Sequence, residues 1–79
     1  MKVRLLYFAS LADRAGRSEE TRETSARNPR DLYAEISREH ALGFAPERLR
    51  VAINGVLSGW ERGLADGDEI VFLPPVSGG

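Results

Sequence analysis

Residues 64–79 read Leu64-Ala65-Asp66-Gly67-Asp68-Glu69-Ile70-Val71-Phe72-Leu73-Pro74-Pro75-Val76-Ser77-Gly78-Gly79. The stretch contains a turn, a strand and an exit. Asp66-Gly67-Asp68 is turn chemistry, because glycine supplies positive φ and aspartate bonds to nearby backbone. Glu69 to Leu73 then alternates, with Ile70 and Phe72 on one face and Val71 and Leu73 on the other. Pro74 and Pro75 close the ladder, since proline has no N–H to donate. The chain is expected to leave the domain as an extended tail, stiff at the prolines and free at the glycines. The expected organisation is a folded domain over 1–73 and a tail over 74–79.

Working back to the start, Lys2 to Phe8 alternates in the same way, with Val3, Leu5 and Tyr7 on one face. Ser10 to Ala15 reads as a short helix with Ser10 as N-cap, Asp13 in its first turn and Gly16 as its stop. Ser18 to Thr24 is very polar and fits an edge strand, where charge discourages unwanted pairing. Asn28-Pro29-Arg30-Asp31 opens the one long helix: asparagine caps, proline takes the first position and aspartate meets the positive end of the dipole. Leu32 and Ile36 share a face, and Gly43 is expected to end the helix. Leu49, Val51 and Ile53 point inward from another strand. Asn54-Gly55 predicts a two-residue hairpin turn, returned by Val56 to Ser58.

Composition narrows the chemistry. The 79 residues allow one domain with a modest core, and 42% hydrophobic residues argue against disorder. Eleven basic and 12 acidic residues give a formal charge of −1, without the basic patch that nucleic-acid binding needs. The acidic residues from Glu61 onward read as a solvated face that could also attract a basic partner. No apolar run spans a bilayer and no signal-peptide pattern opens the chain, so the expected compartment is the cytoplasm. Cysteine is absent and His40 is the single histidine, which removes thiol catalysis and Cys/His zinc sites. His40 is expected as a surface residue at the helix end.

The tail is the remaining candidate for a reactive group. Two glycines alone carry little information, and an inert frayed end has the same composition. Their context is more specific: a strand, a rigid Pro-Pro, then a side-chain-free diglycine. Glycine lets backbone enter a narrow tunnel where a Cβ would clash. A carboxylate on Gly79 is a poor electrophile until it becomes a mixed anhydride, such as an acyl-adenylate made with ATP. It can then accept sulfur as a thiocarboxylate.

The Met1 to Ala9 opening, the Asn54-Gly55 hairpin, Leu64 to Phe72 and Pro74 to Gly79 together resemble the small subunit of molybdopterin synthase, the MoaD family. The resemblance covers essentially the whole chain. The Ser18 to Thr24 segment is more polar than the family's pattern. The resemblance implies an α+β, ubiquitin-like β-grasp fold in which the first and last strands pair centrally. That pairing does not follow from periodicity. It also implies that Gly79, with Gly78, is the reactive end. A MoeB-like adenylating enzyme would activate it with ATP, and a sulfurtransferase or cysteine desulfurase would load sulfur. A MoaE-like large subunit would receive the thiocarboxylate to build the molybdopterin dithiolene. No permanently bound cofactor or metal, no nucleic acid and no membrane partner is expected. Sulfur transfer for thiamin or tRNA thiolation, protein modification through Gly79, and a plain interaction domain remain alternatives.

If Ile70 and Phe72 face the core, Phe8, Val71 and Leu73 are left on the opposite face beside the tail. Such a contiguous patch marks an interface unless a loop covers it. Phe8, Val71 and Leu73, with Pro74, Pro75, Val76 and Ser77, are therefore the expected partner-binding residues. Trp60 serves either this patch or the core.

Overall fold

Strand β1 (Lys2–Tyr7) buries alternate residues: Val3, Leu5 and Tyr7 are almost inaccessible, while Lys2 and Arg4 are exposed. The computed structural model describes residues 1–74, so Pro75, Val76, Ser77, Gly78 and Gly79 lie outside the described residues. Helix α1 (Ser10–Ala15), β2 (Glu19–Glu23), α2 (Pro29–His40), a short 3-10 turn (Pro46–Arg48), β3 (Arg50–Ile53), β4 (Val56–Ser58) and β5 (Glu69–Leu73) follow.

The five strands form one mixed sheet in the order β2-β1-β5-β3-β4. Strands β1 and β5 run parallel at its centre, with Leu5 opposite Ile70 and Tyr7 opposite Phe72. The central pairing implied by the family resemblance is therefore present. Three bonds set its register: Lys2 N–H to Asp66 Oδ1 at 2.7 Å, Gly67 N–H to Lys2 O at 2.7 Å and Arg4 N–H to Asp68 O at 2.9 Å. The polar segment is an edge strand, as expected, with β2 antiparallel to β1.

Helix α2 starts as its sequence dictates. Asn28 Oδ1 accepts the Asp31 N–H at 2.9 Å, and Pro29 occupies the first turn. Its buried side chains, Leu32, Tyr33 and Ile36, join the inner sheet residues Val3, Leu5, Val51, Ile53, Ile70 and Phe72 in one core. Fully burying each such side chain contributes about 1.5–3 kcal/mol. Trp60 stacks on Phe72 at 5.7 Å and meets Tyr33 edge-on, so it covers one end of the core.

Three local expectations change. The long helix ends at His40 with Ala41, not Gly43, in the left-handed region at φ 52°. Gly43 lies further on, at φ 85°, where an added Cβ would meet the Arg14 guanidinium at 2.7 Å. That guanidinium stacks over Phe44, so the glycine serves a close approach. Ser10 does not cap α1, because Ala9 holds that position and no side chain bonds there.

His40 is the third. Its side chain is only 16% exposed, with Nε2 3.6 Å from Glu20 Oε1 and its ring edge-on to Tyr7. The reason is the length of α2, which carries its last turn over the inner face of β2. There Glu20 accepts the Tyr7 hydroxyl at 2.7 Å, and Arg22 bridges Glu20, Glu35 and Glu39. Burial and Glu20 raise the Tyr7 hydroxyl well above the usual phenol value. Burial also disfavours the Glu20 carboxylate, but the Tyr7 hydroxyl, Arg22 and Arg17 outweigh it and hold its pKa low. This network fastens edge strand to helix.

Candidate functional site

Parallel pairing of β1 and β5 brings two distant parts of the chain to one end of the sheet. Tyr7 faces Phe72 across the pair, so Phe8 and Leu73 each follow at the same edge. Leu73 is in turn opposite Arg50 at the start of β3. An open groove runs along this edge, with Phe8, Arg48, Arg50, Leu57, Leu73 and Pro74 among its walls. Pro74, the last described residue, is part of its wall. The interface residues read from the sequence thus divide: Phe8, Leu73 and Pro74 meet at the groove, and the other tail residues are outside the described part.

Phe8 is 51% exposed, and Leu73 and Pro74 are half-buried. Val71 departs from expectation. It is 9% exposed, because Leu6 and Ala52 stand beside it in register on the outer face of the central strands. The outer face is therefore a continuous apolar row, Leu6–Val71–Ala52–Leu57, running across four strands. Val71 forms its floor and does not project from it. The projecting member is Leu57, 60% exposed on β4, which the sequence reading did not single out. The signal available was its place two residues beyond Asn54-Gly55, opposite Ala52 in the hairpin.

Phe8 is aimed by an unusual turn. Its carbonyl accepts the Leu11 N–H at 3.0 Å, and Ala9 between them has φ 51° and ψ −124°. The hairpin on the other side is held by ordinary means, with Asn54 and Gly55 at φ 53° and 84°.

The acidic residues near the end of the chain do not form a free partner-facing surface. Glu61 binds Arg30 at 2.6 Å and Glu69 lies 3.7 Å from Arg4. Asp66 accepts from Lys2, and Asp68 from Ala65 and Asn54. The Ala65 N–H, then the Asn54 amide, hold the Asp68 carboxyl below its usual pKa. Among the described residues no cluster of His, Asp and Glu is arranged to hold a metal ion. No helix there is long and apolar enough to cross a membrane.

A mixed five-stranded sheet with one helix across it, ending in a strand that emerges beside an apolar face, defines a ubiquitin-like protein of the β-grasp class. The chain belongs to the ThiS family, whose model matches residues 5–79. It is 33% identical over 82 residues to a molybdopterin synthase sulfur carrier subunit of Escherichia coli (strain K12), covering 98% of this chain and 99% of that one. Two solved structures extend the likeness. Small archaeal modifier protein 1 of Methanosarcina acetivorans superposes with a TM-score of 0.80 at 28% identity, over 99% of this chain and 96% of that one. A chain from the complex of subunits 1 and 2 of molybdopterin-converting factor from Helicobacter pylori 26695 gives 0.70 at 26% identity, over the whole of both. The family resemblance read from the sequence is confirmed.

Proposed function

We propose that this protein is the sulfur carrier subunit of molybdopterin synthase, with the carboxylate of Gly79 as its working group. The observation that carries the proposal is the full-length match to the Escherichia coli sulfur carrier subunit. It is supported by the groove where β1 and β5 finish, where Phe8, Leu57 and Leu73 lie beside Pro74.

In this reading a carboxylate oxygen of Gly79 attacks the α-phosphorus of ATP in a MoeB-like enzyme, and pyrophosphate leaves. A sulfur nucleophile, delivered from a sulfurtransferase or cysteine desulfurase, then attacks the acyl carbon. AMP departs with one of the original oxygens, leaving an acyl disulfide when the nucleophile is the donor's persulfide. A second thiol then cleaves its S–S bond, forming a disulfide with the donor sulfur and releasing the thiocarboxylate on Gly79. The protein's own residues do no acid–base work in these steps. Phe8, Leu57 and Leu73 dock a MoaE-like large subunit, and residues 74–79 reach its active site. Gly78 and Gly79 keep the tail narrow enough to enter. ATP belongs to the activating enzyme, and the carrier holds no resident cofactor. The domain over 1–73 acts as a handle for the tail over 74–79.

The test is reconstitution. The large subunit, the activating enzyme, ATP and a sulfur donor should convert cyclic pyranopterin monophosphate to molybdopterin with the full chain. They should fail to do so with a chain lacking Gly78 and Gly79. Product formation by the truncated chain would remove the tail from the chemistry.

The likeness to a small archaeal modifier protein favours one further reading, in which the same activated Gly79 is joined to lysines of other proteins. Adducts that survive a denaturing gel and disappear with Gly79 deleted would support it.

A further inference from the structure

We infer that Ala9 is a positioning residue that holds Phe8 on the docking face at the expense of the carrier's own stability. The inference rests on the docking reading above. Its starting point is backbone geometry: φ 51° and ψ −124° at Ala9 match the second position of a type II′ turn, about 60° and −120°. That position favours glycine, since an L side chain crowds the backbone there.

The surroundings force the geometry. Tyr7 is buried and fixed by Glu20, and Leu11 is fully buried at the start of α1. The chain has three residues in which to turn between them, and it closes the turn with the Leu11 N–H to Phe8 O bond at 3.0 Å. The Asp13 N–H bonds to Ala9 O at 3.2 Å and locks the turn to the helix. Glycine would accept these angles without strain. It would also let the turn sample others, and Phe8, half exposed, would move with it. Alanine narrows the choice, and Ala9 itself stands in the groove wall beside Phe8. An interface residue already held in place loses less freedom on binding.

A residue with a merely structural role moves stability and binding in the same direction when it is replaced. Here they should separate. Relief of strain in Ala9→Gly, partly offset by the greater freedom of glycine in the unfolded chain, should raise the thermal midpoint by about 4 °C. Affinity for the large subunit should fall about fivefold through lost preorganisation. A chain made by chemical ligation with D-alanine at position 9 fits positive φ and stays rigid, so it should melt higher and bind within about twofold of the parent chain. The experiment is thermal denaturation of all three chains, with calorimetric titration of each into the large subunit. Binding of Ala9→Gly equal to the parent, or a lower melting point, would overturn this inference alone. A parent chain that does not bind the large subunit would overturn the docking reading and this inference with it.

Discussion

Asn54 donates from Nδ2 to Asp68 Oδ1 at 2.9 Å, which ties the hairpin turn to the entrance of β5. The second carboxylate oxygen accepts the Ala65 N–H at 2.8 Å, and Asn54 Oδ1 accepts the Glu69 N–H at 2.9 Å. Two turns far apart in sequence thereby fix the strand that carries the tail. Because these bonds hold the Asp68 pKa below its ordinary value of 3.8, their stabilisation is fully present above that value. It is lost as pH falls through the lower folded-state value. Asp68→Asn should lower stability at neutral pH by about 1–3 kcal/mol and flatten the acid limb. Urea unfolding across the acid range measures both.

Arg22 should matter more than an average surface arginine. Its side chain is 11% exposed and it faces Glu20, Glu35 and Glu39 between edge strand and helix. Arg22→Met would leave Glu20 to the Tyr7 hydroxyl, His40 and the more distant Arg17. The expected loss is about 2 kcal/mol at neutral pH, read from the denaturation midpoint.

Leu57 and Leu73 separate folding from docking. Leu57→Asp replaces an exposed side chain, so stability should stay within about 0.5 kcal/mol. Affinity for the large subunit should fall more than about tenfold, since a carboxylate would be desolvated within the contact. Leu73→Asp should abolish the complex and leave the fold intact. Calorimetric titration, with circular dichroism as a control for folding, decides both; undiminished affinity would place the docking face elsewhere.

Phe72→Ala should bring the protein close to unfolding. The ring is fully buried between Tyr33 and Trp60, and such a truncation costs about 3–5 kcal/mol out of a typical total of about 5–15. Trp60, stacked on that ring, supplies the readout: its emission should shift to the red in the variant.

Much of this fold was legible because strong local signals coincide with the tertiary solution. Asn28-Pro29 caps α2 and Asn54-Gly55 makes the hairpin. The alternation of Val3, Leu5 and Tyr7 marks the core face, as it does for Ile70 and Phe72. The errors arose where a residue's fate depends on a neighbour from elsewhere in the chain. Val71 alternates outward like Leu73, yet Leu6 and Ala52 cover its flanks because β5 is central. His40 has the character of a surface helix end, but it is drawn in by Glu20 and Tyr7 from other strands. The helix stops at Ala41 while the more suitable Gly43 serves Arg14 and Phe44. Leu57 is marked in the sequence only by its place just after Asn54-Gly55; its exposure at the end of the outer apolar row comes from strand pairing. The diglycine end was read from composition and resemblance and lies outside the described residues, while β5 brings Leu73 and Pro74 up to Phe8.

The most direct test of the central claim is the intact mass of the protein, taken after incubation with ATP, the activating enzyme and a sulfur donor. The account predicts a gain matching one oxygen exchanged for one sulfur, absent when Gly79 is deleted. An unchanged mass, with the same activating enzyme shown to load a known carrier, would contradict it.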